Sequence, residues 1–566
     1  MVKKGNNKRS DLLNLILGLI ILVLINVISG YAFKRFDLTT EKRFTLSDAT
    51  IDMLKNLDDV VFVRVYLEGD FPAGFKRLRN ATKEMLDEFR AIAGDNIQYE
   101  FIDPSASPDE KERNALYAQL TRQGIQYTNL EFREGESKSE KIIFPGAIVA
   151  HKEREAPVQI LKSQIGVAPE VMLNNSVQQL EYELANTIRK LASEKVSTVA
   201  FIEGHGELDS LFTADIMQSL AEYYNVTRLK LNEQLKALQN IDAIVIAKPD
   251  SAFSEKDKFI IDQFIMRGGK ALWMIDRTDA NMDSLNKSPN YMALTKDLNL
   301  DDMLFNYGVR INTNLVQDIQ AVPIPIVIGY IGNQPQQKFF PWFYFPLIMP
   351  YMKHPIVNNL NAIKAEFIST IDTVGTKGIR KTPLLHTSKY AKVLPAPVRV
   401  SINMLREEPK MEQFNKSFQP LAVLLEGEFE SNFKNRLAPE LLDSKEINFR
   451  EKGVATKMIV VADGDIIKNQ VQYSTGRAMP LGFDKYTNEV YGNKNFILNA
   501  MNYLLDDSGL IGARSKEIKL RLLDIDKLRK ERARWQFLNV VIPVLLVVLY
   551  GIIRFYWRKR RYTTAF

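Results

Sequence analysis

The sequence predicts an α/β body held between two membrane-spanning helices. Three observations predict it. Long uncharged apolar runs stand near both ends of the 566 residues, apolar stretches of strand length alternate with amphipathic helical stretches between them, and the excess basic charge sits in two short tails. With 46% hydrophobic and 25% charged positions the chain is globular rather than disordered. Its length allows about three or four domains.

The first apolar run, Leu12 to Phe33, holds 22 residues without a formal charge. As a helix it is ~33 Å long, against a hydrocarbon core of ~30 Å. It exceeds a signal-peptide core and no clear A-x-A cleavage site follows, which favours an uncleaved anchor. The second run, Phe537 to Ile553, holds 17 residues. Trp535, Tyr556 and Trp557 extend it as interfacial residues, and the basic stretch Arg558 to Arg561 stops it. Asn14, Asn26, Asn539 and Pro543 fall inside the runs, where polar residues suit contact with a partner helix. Two spans put both termini on one side of a bilayer and the body on the other. Lys and Arg flank both runs on both sides, so the counts do not choose the side; the compact, acid-free tails favour tails inside.

The net charge of +7 does not point to nucleic acid. The tails carry nine basic residues and no acid, which leaves −2 over residues 11–553. With no Cys, disulfides, thiolate catalysis and Cys-ligated metals are excluded. The four His (His151, His205, His354, His386) are too far apart for two ligands on one helical turn.

Within the body, Ser47 is placed to N-cap a helix carrying Ile51, Leu54 and Leu57. Strand-like Val60–Leu67 and Ile97–Ile102 alternate with helical Leu78–Ala93 and Glu110–Gln123, and β-prone Lys141–His151 and Ala156–Leu161 follow. This βαβαββ order suits a small thioredoxin-like module without a redox Cys pair. A helix, Val177–Ser193, leads to strands Val196–Ile202, Val226–Leu231, Ala243–Lys248 and Ala271–Asp276, with helices over Phe212–Tyr224 and Glu255–Arg267. Buried strands alternating with helices imply a doubly wound, flavodoxin- or Rossmann-like parallel sheet. That sheet is expected to resume at Met458–Ala462 beneath a helix at Asn495–Leu505, which makes Leu294–Leu442 an insertion or second lobe.

The expected division is a tail (1–11), span (12–33), juxtamembrane segment with the thioredoxin-like module (34–175), α/β domain (176–293), insertion (294–442), return to the α/β domain (443–513), basic amphipathic juxtamembrane helix (514–536), span (537–557) and tail (558–566). Within the insertion, Val322–Pro355 holds seven prolines, a density that precludes helix and central strand. Its aromatic cluster Phe339, Phe340, Trp342, Phe343, Tyr344 and Phe345 is expected to meet a partner protein or lipid, or to pack as a long loop over the sheet.

Two places offer chemistry. In Glu203-Gly204-His205-Gly206-Glu207 a histidine lies between carboxylates Glu203 and Glu207 at the carboxyl end of a strand, where doubly wound sheets bind ligands. A general base or a sugar site is one reading, and a shaped turn the other. Asp463-Gly464-Asp465 emerges at the same edge, and with Asp276 forms a candidate ligand set for a divalent cation; Asp-Gly is also an ordinary turn. The sequence has no G-x-x-x-x-G-K-[ST], G-x-G-x-x-G after a strand, G-x-S-x-G or H-E-x-x-H. No cofactor and no resident metal are therefore expected.

Several stretches together resemble the GldG family, auxiliary or "substrate-binding" proteins of a gliding-motility ABC transporter of Bacteroidetes. They are Asp37-Leu38-Thr39, Phe44-Thr45-Leu46-Ser47, Gly204-His205-Gly206-Glu207, His354-Pro355-Ile356 and Leu424-Leu425-Glu426-Gly427-Glu428-Phe429 with Ser431 and Phe433. Further on come Ala462-Asp463-Gly464-Asp465, Gly492-Asn493-Lys494-Asn495-Phe496, Arg514-Ser515-Lys516-Glu517-Ile518 and Arg521-Leu522-Leu523-Asp524. The resemblance implies an inner-membrane protein with cytoplasmic termini and a periplasmic body. It further implies a GldF-like permease and a GldA-like ATPase as partners; membrane lipid and further copies of the chain within the complex are the other expected contacts. It implies no catalytic residues. The alternative is a periplasmic hydrolase or a solute- or glycan-binding receptor built on the Glu203–Glu207 turn.

Overall fold

The computed structural model describes residues 8–31, 45–134, 137–162, 167–193, 196–436, 448–506, 509–515 and 525–563. The motifs Asp37-Leu38-Thr39 and Arg521-Leu522-Leu523-Asp524, and residues 516–524 of the basic segment, lie outside them. Two units form, Phe44–Lys516 and the pair of end segments Met1–Arg43 and Glu517–Phe566. Residues 12–31 of the first apolar run lie in helix α1 (Lys8–Tyr31), where Leu15–Leu24 is a short apolar stretch.

The folded body starts as its capping residue predicts. Ser47 stands in extended backbone and its hydroxyl accepts the Thr50 N–H, opening helix α2 (Asp48–Lys55). Strand β1 (Val61–Val65), helix α3 (Ala73–Ala93), strand β2 (Ile97–Phe101) and helix α4 (Glu110–Arg122) follow the expected order. A hairpin of β3 (Thr128–Glu134) and β4 (Ser137–Ile143) precedes β5 (Gly146–His151) and β6 (Arg154–Gln159). The apolar run over Lys141–His151 is thus two strands, split at Phe144-Pro145 because a proline cannot donate to a ladder. The four-stranded sheet is ordered β2-β1-β5-β6, with β1 parallel to β2 and antiparallel to β5. Helix α5 (Pro169–Ala192) begins earlier than its apolar pattern suggests, with proline at its first turn. Its Leu180, Leu184, Ile188 and Leu191 are buried in one core with Val61 and Val63 of β1 and Leu78 and Leu86 of α3.

The main sheet has seven strands. Its parallel part comprises β7 (Thr198–Glu203), β8 (Asn225–Lys230), β9 (Ala243–Ala247), β10 (Lys270–Met274) and a returning strand that begins at Lys452. Helices α6 (Ala214–Ala221) and α7 (Glu255–Met266) make the crossovers. In chain order the parallel strands read 2-1-3-4-5, so the direction of travel reverses between β7 and β9. Right-handed crossovers therefore place α6 and α7 on opposite faces. Ile244 to Ile246 of β9 and Leu272 to Met274 of β10 are fully buried, which explains their unbroken apolar runs.

The stretch 294–442 is not wholly an insertion. Two of its strands join the main sheet beyond the returning strand, both in antiparallel pairing, so the sheet is mixed rather than purely parallel. Ahead of them, helix α8 (Met282–Lys287), strand β11 (Asn290–Ala293) and helix α9 (Asp301–Tyr307) lead into β12 (Val309–Ile311) and β13 (Asn314–Asp318). Strands β14 (Ala321–Ile331) and β15 (Gln334–Ile348) form a long hairpin, with β16 (Ile363–Lys364) beside β15. Strand β17 (Ile371–Thr373) pairs with β12, and β18 (Ile379–His386) is the outer strand of the main sheet. Then β19 (Ala391–Pro395) pairs with β13, and β20 (Val398–Ser401) with β11. Strand β21 (Pro420–Glu430) lies between β18 and β22 (Lys452–Val461), giving the order β18-β21-β22-β10-β9-β7-β8.

The proline-rich segment is thus a hairpin and not a loop. Prolines persist in it because β14 and β15 pair over most of their length only with each other, and the ladder slips at Ala321/Pro323 and at Val327/Gly329. Helix α10 (Asn493–Leu505) packs beside α6, as expected for the helix over the returning strand. Helix α11 (Ile525–Thr563) is continuous through Pro543, and its part Lys530–Arg560 is long and apolar enough to cross a membrane. The basic residues from Lys527 to Arg534 therefore continue the helix of the apolar run and do not form a separate surface helix.

Candidate functional site

Parallel strands deliver their following residues to one edge, and the structure gathers there what the sequence scatters. Asp276 follows β10, Asp463 and Asp465 follow β22, and their carboxylate oxygens lie within 4.8 Å of one another. Lys248, directly after β9, enters this group: its ammonium is 3.0 Å from Asp276 Oδ2 and hydrogen-bonds Asp465. The Gly464 N–H donates to Asp276 Oδ1 at 2.6 Å, the Asp465 N–H to Asp463 Oδ1 at 2.6 Å, and the Glu366 N–H to Asp463 Oδ2 at 2.8 Å. A side chain at 464 would collide with the Lys248 stem, which lies 2.5 Å from the position of a Cβ there.

The electrostatics follow from that geometry. Burial opposes the Lys248 charge, but Asp276 and Asp465 outweigh it and raise its pKa far above the ordinary lysine value. Burial likewise opposes ionised Asp465, yet Lys248 and Lys468 hold its carboxyl below the usual range. Asp463 is pushed well up by burial and by the two neighbouring carboxylates, and burial also raises Asp276. Three carboxylates at this spacing form a donor set for a divalent cation. Here a lysine ammonium supplies the positive charge. Sequence reasoning found the three acids and missed Lys248, whose only signal is its place at the carboxyl end of an apolar strand.

The Glu203–Glu207 turn is arranged differently from the expectation. Glu203 turns to Arg228 on β8 and does not flank the histidine. His205 Nδ1 lies 3.1 Å from Glu207 Oε1, Nε2 lies 3.2 Å from Asp257 Oδ2 on α7, and the ring stacks on Phe253 at 3.7 Å. Both ring nitrogens are therefore occupied. The His205 carbonyl accepts the Asp250 and Ser251 N–H groups at 2.8 and 2.9 Å, and the Leu208 N–H donates to the Ala247 carbonyl at 3.0 Å. These bonds lace shut the crevice between β7 and β9, the switch point at which such sheets place ligands. Gly206 has φ +74 and meets Asp250 so closely that an added Cβ would lie 3.0 Å from its Cβ.

Burial lowers the His205 pKa, but Glu207 and Asp257 outweigh it, and the imidazole titrates above its ordinary value. A raised folded-state pKa stabilises fully below the unfolded value near 6.5 and loses that contribution as pH rises through the folded value. His205→Ala is expected to cost about 2 kcal/mol at pH 6 and progressively less above the folded-state pKa, read from urea midpoints across pH.

Of the six aromatics, Trp342, Phe343, Tyr344 and Phe345 are buried, and Trp342, Tyr344 and Phe345 share a core with Val322, Ile324 and Phe367. That burial withdraws the four as surface contacts. Phe340 is half-buried and only Phe339 of the set is exposed. A cleft of about 820 Å³ lies elsewhere, between α9 and the strands β12, β13 and β19. Arg277, Arg310 and Arg436 line it, and each pairs with an aspartate. No residue singled out from the sequence lines it.

A family model described as an ABC-type uncharacterized transport system matches residues 196–500, which span β7 through most of α10. The chain belongs to this ABC-transporter auxiliary family. A second model, a domain of unknown function, matches residues 40–150, which cover α2 and most of the four-stranded sheet. An uncharacterized protein of Borreliella burgdorferi is 21% identical over 570 residues, covering 98% of this chain and 99% of that one. Among solved structures, the mmIFT52 N-terminal domain matches with TM-score 0.32 and 14% identity, over 55% of this chain and 99% of that chain. The exo-beta-1,4-mannosidase Op5Man5 from Opitutaceae bacterium strain TAV5 matches with TM-score 0.19 and 10% identity, over 69% of this chain and 46% of that one. Membership makes the chain an auxiliary component of an ABC transport system.

Proposed function

We propose that this chain is a non-enzymatic auxiliary subunit of an inner-membrane ABC-type complex serving gliding motility and associated secretion. In this reading α1 and α11 both cross the membrane, the termini are cytoplasmic and the body is periplasmic. The four-stranded sheet with α3, α4 and α5 acts as a thioredoxin-like module, and the seven-stranded sheet as a flavodoxin-like one. The partners are a GldF-like permease and a GldA-like ATPase, and the body relays a motion driven by ATP elsewhere.

One observation carries the non-enzymatic reading. The titratable groups at the carboxyl edge are spent on one another: His205 on Glu207 and Asp257, Lys248 on Asp276 and Asp465. A general base needs a free lone pair within reach of a substrate proton. Neither His205 nitrogen offers one, which weighs against the hydrolase alternative.

Gently solubilised membranes provide the test. The tagged chain is expected to co-purify with a permease and an ATPase subunit, and a His205→Asn variant is expected to retain both. Recovery of the chain without either subunit would defeat the proposal. Loss of function in His205→Asn with assembly intact would restore the hydrolase reading.

A further inference from the structure

The β14–β15 hairpin has two ends of opposite character. At its base Val322 and Ile324 of β14 and Trp342 and Tyr344 of β15 are buried. Beyond Ile326, paired with Lys338, the ladder runs on to Ile331 opposite Gln334 and turns at Gly332-Asn333. Six residues at ~3.3 Å each make an arm of about 20 Å. Along it Val327, Ile328, Tyr330, Ile331 and Phe339 are exposed, Tyr330 by 71% and Ile331 by 66%. Branched aliphatic side chains forgo about 1.5–3 kcal/mol each when left in water, so a cluster of this kind marks a contact surface.

Its charge pattern selects the contact. Between Asp318 and Glu366 the chain has no acidic residue and three lysines, Lys338, Lys353 and Lys364, the last of them buried and paired with Asp484. Exposed aliphatics beside Tyr330, Phe339 and a lysine are the residue types that partition to a membrane interface, and the absence of acids removes repulsion from anionic headgroups. The same chain carries Lys530–Arg560, a helix able to cross a bilayer, so a lipid surface is at hand. A two-stranded arm keeps unpaired backbone groups along its edges, which confines it to the hydrated headgroup zone.

We propose that the tip of this hairpin, through Val327, Ile328, Tyr330 and Ile331, inserts into the interfacial layer of a lipid bilayer. The inference rests on the reading of α11 as a membrane anchor.

The chain has no cysteine, so an introduced one is its only thiol. Full-length Ile331→Cys carries an environment-sensitive fluorophore in nanodiscs of phosphatidylcholine and phosphatidylglycerol, open to solvent on both faces. Phosphatidylcholine spin-labelled near the headgroup is expected to quench it at least about two-fold while iodide quenches little; Glu408→Cys, on an exposed loop, is expected to behave in the opposite way. Iodide quenching equal to that of Glu408→Cys overturns the proposal. So does blue-shifted emission that spin-labelled lipid leaves unquenched, since a second copy then covers the tip. Val547→Cys in α11 reports separately on the anchor: lipid quenching there without quenching at Ile331 rejects the hairpin inference alone.

Discussion

Replacing Lys248 by Met will destabilise the body by about 3–5 kcal/mol, one of the largest effects expected of a single substitution here. The substitution keeps the length of the side chain and removes only the ammonium. Asp276, Asp463 and Asp465 are then left in mutual contact at a buried site, where among the described residues Lys468, 3.4 Å from Asp465, still forms an ion pair and Lys296 acts on Asp276 from farther away. Removing one partner of a buried ion pair costs far more than the pair contributes net, because the other charge stays buried and uncompensated. Backbone strain does not confound the result. Lys248 has φ +56, and methionine bears the same left-handed cost as lysine.

Two companion measurements separate this cause from general damage. Adding Asp276→Asn to Lys248→Met is expected to recover part of the loss, because one of the stranded charges disappears. Calcium or magnesium is expected to raise the urea midpoint of Lys248→Met and to leave the unaltered chain unchanged, since the vacated donor set then takes a divalent ion. The pH dependence carries its own sign. Asp465 has a depressed folded-state pKa, so its contribution is present above the unfolded value near 3.9 and is lost as pH falls through the folded value. Lys248→Met is expected to flatten that acid limb. A variant with the midpoint and acid limb of the unaltered chain would refute the account of Lys248 as the internal cation.

The same cluster illustrates what a sequence discloses. The apolar runs at Val199–Ile202, Ala243–Ala247, Ala271–Ile275 and Met458–Ala462 are buried strands, because strands covered on both faces leave no other local pattern. Their parallel alignment then places Asp276 beside Asp463 and Asp465, a juxtaposition deducible from topology alone. The partners of each charge were not deducible. Lys248 reads as an ordinary strand end, and Asp257 reads as a solvated first-turn acid of α7 until the packing of α7 brings it to His205. Strands β18 and β21 escaped because antiparallel pairing over long loops leaves no periodic mark at the sheet edge. The β14–β15 hairpin escaped because proline argues against a ladder everywhere except on strands whose N–H groups face outward.

Lys190 poses the opposite case, a buried charge whose removal will stabilise. It lies on α5, its ammonium donates to Asn502 Oδ1 at 2.7 Å, and it sits 3.9 Å from the centre of the Tyr223 ring and 5.2 Å from that of Tyr224. Among the described residues no carboxylate forms an ion pair with it; Glu183, Glu222 and Asp506 act from farther away. Burial, aided by the charge of Arg189, lowers its pKa to about 7. Between that value and the ordinary 10.5 the unfolded chain holds a proton that the folded chain lacks, so stability rises with pH across the window. Below about 7 the fold bears the full cost of the sequestered ammonium, which the tyrosine faces offset in part. Lys190→Met keeps the stem against Tyr223, and Asn502 Oδ1 still accepts the Tyr224 hydroxyl at 2.9 Å. The variant is expected to gain about 2 kcal/mol near pH 7 and almost nothing near pH 10, compared by urea midpoints at the two values. An equal change at both would show that packing and not ionisation governs the site. Because Lys190 reaches from the helix of the four-stranded sheet to α10 on the main sheet, this titration acts at the joint between the two layers, and the unaltered chain is expected to stiffen there as pH rises.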